Sequence, residues 1–233
     1  MTFLNTLDDQ NVATRMAGGW SCVLFDLDGT LTDSAPGITG SLVRVLTKAG
    51  LDVPSREQLN SFVGPPLLDS LTTACGLSES AARKLLVDYR KDYSESGAFD
   101  SAVFPGIRGV LEDLVKTGIP LAVATSKPQI QATRILRHFE LDQYFDIIAG
   151  ASEDESRSDK ADIVFDALAG LRQSGVDVTH PVMVGDRSFD VDGAAAHGVP
   201  TILVEWGYGS PSEAEGSIAV VHSTDQLRSL LVR

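Results

Sequence analysis

The chain has 233 residues, 43% of them hydrophobic, enough for one sizeable core and a smaller appended domain. A formal charge of −13 excludes a broad nucleic-acid or anionic-membrane surface, because both require basic patches to meet phosphate charge. The two cysteines, Cys22 and Cys75, form no metal or redox pair and read as buried apolar residues of a reducing compartment.

Residues 1–20 are polar and without periodicity, and read as a loosely held extension. With Asp8 and Asp9 and no basic start before an apolar stretch, this end does not look like a signal peptide. No segment approaches ~18 uninterrupted apolar residues, so no membrane span is expected and the sequence places the protein in the cytoplasm.

The first predicted strand, Cys22–Phe25, stops at Asp26. Further short apolar runs are Leu121–Ala124, stopping at Thr125, Val182–Val184, stopping at Gly185-Asp186, and Thr201–Val204, with a weaker one over Phe145–Ala149. Short, branched-rich and non-alternating runs followed by helical patterns predict an α/β fold with a buried, Rossmann-like parallel sheet. Between the first two strands, residues 37–104 show helical spacing (Leu42, Val45, Leu46 and Ala49; Leu85, Leu86, Tyr89 and Tyr93) broken by Gly50, Pro54, Gly64-Pro65-Pro66 and Gly76, with no convincing strand. This predicts an inserted α-helical domain, leaving residues 21–36 and 105–233 as the core.

Two carboxylates, Asp26 and Asp28, stand one residue apart just past the first strand, in Asp26-Leu27-Asp28-Gly29-Thr30. Ligands of open α/β sheets bind at the carboxyl ends of strands. An aspartate there is often only a cap, and Asp-Gly only a turn, but two acids against an apolar strand end repel each other unless a cation is bound.

This signature resembles that of the haloacid dehalogenase-like superfamily. Three further motifs follow in order: Thr125 in Val123-Ala124-Thr125-Ser126-Lys127, then Lys160 in Lys160-Ala161-Asp162, then Gly185-Asp186-Arg187-Ser188-Phe189-Asp190. The resemblance covers the chain from about residue 21 onward. It implies a phosphatase in which Asp26 attacks phosphorus, Asp28 acts as general acid and then base, and Thr125, Ser126 and Lys160 hold the phosphoryl group. It also implies Mg²⁺ on Asp26, the Asp28 carbonyl and Asp186. Asp190 is either a further metal contact or an acid facing a helix N-terminus. Outside the motif, Lys160 would pass for a surface lysine at a helix start, and Lys127 reads as ordinary surface charge.

The same resemblance makes the helical insert a cap over the site. Phe62-Val63-Gly64-Pro65-Pro66-Leu67 and Trp206-Gly207-Tyr208-Gly209 are similar to segments of its phosphoglycolate phosphatase-like branch. Gly64 either lets backbone approach substrate or simply forms a turn. Arg44, Lys48 and Arg56 are the cap cations considered for an anionic substrate tail, and each also reads as solvated charge. The implied substrate is a small phosphorylated metabolite: phosphoglycolate, a nucleotide or a sugar phosphate. The rivals are a phosphomutase, disfavoured because no histidine follows the first motif before His138, and a regulatory protein acting through a partner. A monomer or homodimer is expected.

Overall fold

The computed structural model describes residues 19–154 and 156–232, so the expected extension at 1–20 lies almost entirely outside the described residues. Six parallel strands form the central sheet: β1 (Cys22–Phe25), β4 (Leu121–Pro128), β5 (Ile147–Ala151), β6 (Pro181–Gly185), β7 (Thr201–Val204) and β8 (Ala219–Val221), in the order β5-β4-β1-β6-β7-β8. β1 is central and buried throughout, which is why Cys-Val-Leu-Phe carries no polar alternation. From β1 the chain builds outward through β4 and β5, then returns to lay β6 on the other side. The crevice between the carboxyl ends of β1 and β6 is therefore the topological switch point.

Helices α5 (Ile107–Thr117), α6 (Gln129–His138), α7 (Lys160–Gln173), α8 (Ser188–Ala195) and α9 (Thr224–Leu231) link or follow these strands. On one face of the sheet, Leu24, Ala122 and Met183 pack with Ile163, Val164 and Leu171 of α7. On the other, Val23, Phe25 and Val123 join Val110, Leu111 and Leu114 of α5 in a larger core that continues into the helical insert.

That insert contains α1 (Ala35–Lys48), α2 (Arg56–Asn60), α3 (Leu67–Thr73), α4 (Glu79–Asp92) and a single π-helical turn, Tyr93–Gly97. One sequence expectation is corrected here, because residues 37–104 do contain a strand. β3 (Ala102–Val103) pairs antiparallel with β2 (Thr32–Asp33), joining the entry and exit of the helical segment. A two-residue ladder has too little period to be seen in sequence. The helices close on themselves at Gly37 and Gly97: a Cβ on Gly37 would overlap the Gly97 carbonyl oxygen, and one on Gly97 would overlap Ser41 Oγ. α1 and the π-turn thus approach at a separation that only glycines permit.

β5 begins two residues later than the apolar run suggested, since the Asp146 carboxylate accepts from the Leu121 amide at the sheet margin. Cys22 is buried and Cys75 half-buried, and neither is bonded to another cysteine. Among the described residues no helix is long and apolar enough to cross a membrane.

Candidate active site

Asp26 leaves β1 at its carboxyl end, where its amide donates to Val184 O at 2.9 Å and fixes it beside β6. The chain then turns at Gly29 (φ +86°), whose missing Cβ would overlap the Asp186 carboxylate. This close approach requires glycine and brings the loops after β1 and β6 together. Thr30 Oγ1 donates to Asp186 Oδ1 at 3.2 Å, and the Tyr208 amide donates to Asp186 Oδ2 at 2.8 Å.

Lys160, at the first turn of α7, has its ammonium buried under the sheet's carboxyl edge. Nζ lies 2.9 Å from Asp26 Oδ1 and donates to Ala124 O at 3.1 Å. It also forms an ion pair with Asp190 Oδ1 at 2.7 Å. The other Asp190 oxygen accepts from the amides of Asp186 and Arg187 at 3.1 and 3.0 Å. Asp190 therefore ties down the start of α8 and also belongs to the buried cluster.

Carboxylate oxygens of Asp26, Asp186 and Asp190 lie within 4.8 Å of one another. Three buried carboxylates facing one ammonium leave excess negative charge in a nearly dry site. Burial pushes the Asp26 carboxyl up to about 6; Lys160 opposes the rise, while Asp190 and Asp28 reinforce it. Asp186 is held well above the usual carboxylate range by burial, then by Asp190 and Asp26. For Lys160, burial works downward, but Asp190 and Asp26 outweigh it and raise its pKa. An all-oxygen, like-charged donor set fits a hard divalent cation such as Mg²⁺.

The Asp28 carboxylate stands apart from this cluster. Its Oδ2 pairs at 2.9 Å with Lys127 Nζ, which corrects the reading of Lys127 as surface charge, because the residue is only 8% exposed. The reason is a bulge in β4. Thr125 pairs with Gly150 and Pro128 with Ala151, so Ser126 and Lys127 are extruded from the ladder and aimed inward. Thr125 is buried beside them and accepts from the Lys127 amide at 3.3 Å.

A cavity of about 70 Å³ opens between this loop and the helical segment, lined by Asp28, Ser126, Lys127, Gly64, Tyr93 and Arg90 among others. Gly64, on the turn after α2, reaches the cavity and packs against Arg187. Arg187 Nη1 donates to Val63 O at 2.6 Å, and Nε pairs with Glu213 at 2.8 Å, tying the loop after β6 to the helical segment. Of the cations considered in the insert, Arg44 is committed to Asp92 at 2.6 Å, and Lys48 and Arg56 are exposed and do not line the cavity. Arg90 occupies that place instead. Trp206 and Tyr208 belong to the site's frame: Trp206 Nε1 donates to Thr30 O at 3.1 Å, and Tyr208 Oη donates to Asp33 Oδ1 at 2.6 Å.

Fold and site together define an α/β enzyme with carboxylates and one lysine gathered at the switch point of a parallel sheet. The chain belongs to the haloacid dehalogenase-like hydrolase family, whose model matches residues 23–204. Among curated proteins it is 48% identical to tyrosine-protein kinase PtkA of Mycobacterium tuberculosis, over 90% of this chain and 72% of that protein. It is 40% identical to a 5'-nucleotidase of Pseudomonas aeruginosa, over 82% of this chain and 85% of that one. A phosphoglycolate phosphatase of Caulobacter vibrioides is 34% identical, over 94% and 91%. Among solved structures, a predicted phosphatase from Clostridium acetobutylicum superposes with a TM-score of 0.85 at 39% identity, over 91% of this chain and 97% of that one.

Proposed function

We propose that this protein is a Mg²⁺-dependent phosphatase that hydrolyses a small phosphate monoester through an aspartyl-phosphate on Asp26. The observation that carries this reading is the buried constellation of Asp26, Lys160, Asp186 and Asp190 at the β1/β6 crevice, with Asp28 two positions after Asp26 on the cavity side. The phosphatases among the relatives support it.

Asp26, held by Lys160, attacks phosphorus, and the bond to the leaving oxygen breaks as Asp28 supplies its proton. Asp28 then takes a proton from the water that attacks the phosphoryl-enzyme, releasing phosphate and restoring Asp26. Thr125, the Ser126 amide and Lys160 hold the phosphoryl oxygens as charge develops. Asp26, Asp186 and the Asp28 carbonyl would hold Mg²⁺, with Asp190 in the same carboxylate cluster, and the ion would supply charge that offsets the repulsion between carboxylate and phosphate. The helical segment, entered and left through the β2–β3 ladder, acts as the cap that excludes water, with Gly64 on its substrate side.

The test is phosphate release from a panel of small monoesters, with and without Mg²⁺, beside Asp26→Asn. Turnover that requires both the metal and Asp26 is expected; no turnover on any ester refutes the proposal. The 48% identity to a protein named a tyrosine kinase favours one second reading, in which a hydroxyl takes the phosphoryl group from Asp26 in place of water. Label passing from the enzyme to a protein tyrosine faster than to free phosphate would establish it.

A further inference from the structure

Lys127 has no role in the chemistry above, although its charge is buried, touches Asp28 and faces the cavity. Nζ lies 2.9 Å from Asp28 Oδ2 and donates to the Tyr93 hydroxyl at 3.0 Å, with the ammonium 4.7 Å from the Tyr93 ring centroid. Tyr93 opens the π-turn and stacks on Tyr89 at 5.6 Å. The Gly37–Gly97 contact fixes the far end of that turn. Single π-turns within helical segments are uncommon and concentrate at functional sites. On the core side, the β4 bulge that extrudes Lys127 is itself unusual for a parallel pair. Two local irregularities, one in the helical segment and one in the sheet, thus meet at a single ammonium.

With one oxygen of Asp28 held by Lys127, the other, Oδ1, is buried and has no hydrogen-bond partner among the described residues. We infer that Lys127, braced by Tyr93, is a positioning residue: it fixes the Asp28 carboxylate by one oxygen so that the other faces the substrate's leaving oxygen. Through Tyr93, the placement of the acid/base group depends on the seating of the helical segment. This inference rests on the phosphatase reading.

Leaving groups separate this role from others. An alkyl phosphate needs its leaving oxygen protonated, whereas p-nitrophenyl phosphate expels a stable anion and depends far less on Asp28. Lys127→Met is expected to lower kcat on the alkyl ester by roughly 10²-fold, the scale of general acid catalysis, and on the aryl ester by less than about tenfold, with KM on both nearly unchanged. Lys127→Arg should recover part of the alkyl activity. Tyr93→Phe keeps the ring and removes only the hydroxyl, so it should show the same bias more weakly and serves if Lys127→Met does not fold. Equal losses on both esters, or a rise in KM at constant kcat, overturn the inference while leaving hydrolysis by Asp26 intact. Wild-type protein inactive on both esters overturns the phosphatase reading, and this inference with it.

Discussion

Replacing Asp26 by asparagine should make the metal-free protein more stable at neutral pH while abolishing turnover. In the folded protein, burial raises this carboxyl from 3.8 to about 6, against the pull of Lys160. Between those values the folded state holds the proton more firmly than the unfolded chain, so stability falls as pH rises through the window, and the full cost is present above pH 6. At about 1.4 kcal/mol per tenfold change in proton affinity, the rise corresponds to about 3 kcal/mol. Asparagine keeps an oxygen for Lys160, which retains Asp190 at 2.7 Å, and removes the charge. For a chain of this length the gain amounts to a Tm increase of roughly 6–12 °C. The assay is thermal unfolding of both proteins in chelator at pH 7.5 and pH 4, the difference closing at the lower pH. Adding Mg²⁺ should then favour the wild type, which would hold the ion with the full set of carboxylates. An Asp26→Asn protein no more stable than wild type in chelator at pH 7.5 would refute the reasoning.

Lys160→Met leaves Asp26, Asp186 and Asp190 facing one another without a cation, and should cost roughly 3–5 kcal/mol in urea unfolding in chelator, with Mg²⁺ restoring part of it. Unchanged stability in chelator would mean that the carboxylates are not charged together. Gly97→Ala tests the contact with α1. Replacing a loop glycine by alanine often stabilises by a few tenths of a kcal/mol or more through the unfolded chain, but here the Cβ overlaps Ser41 and Gly37, and a loss of roughly 1–3 kcal/mol is expected. A raised Tm would show that α1 and the π-turn can separate freely.

The central strands were legible because both their faces are buried, which leaves continuous apolar runs such as Cys22–Phe25 and Thr201–Val204. β8 escaped notice as three residues with partial exposure, and β2 and β3 as two residues each. The acids and Lys160 could be placed through ordered motifs, and the fold brings Asp26, Lys160, Asp186 and Asp190 into one cluster. Lys127 was not legible, because its direction depends on a bulge whose only trace is a register shift against β5. Arg187 reaches the helical segment, and Arg90 of α4 lines the cavity, by virtue of packing between distant parts of the chain, for which a single sequence carries no pattern. The Trp206–Gly209 segment could be noticed but not assigned; only the fold brings Tyr208 to both Asp186 and Asp33.

The β2–β3 ladder brings the chain's departure from the sheet and its return to adjacent positions, Thr32 opposite Val103 and Asp33 opposite Ala102. Whatever lies between those four residues enters and leaves through one doorway, so a change in its length is taken up between Asp33 and Ala102 and not within β1, β4 or β6. The helices are therefore modular in the engineering sense. A different insert spliced at Asp33 and Ala102 would inherit the loops that carry Asp26, Lys160 and Asp186, and would have to rebuild the contacts that reach across to Lys127, Arg187, Tyr208 and Arg134 together with the apolar core it shares with the sheet.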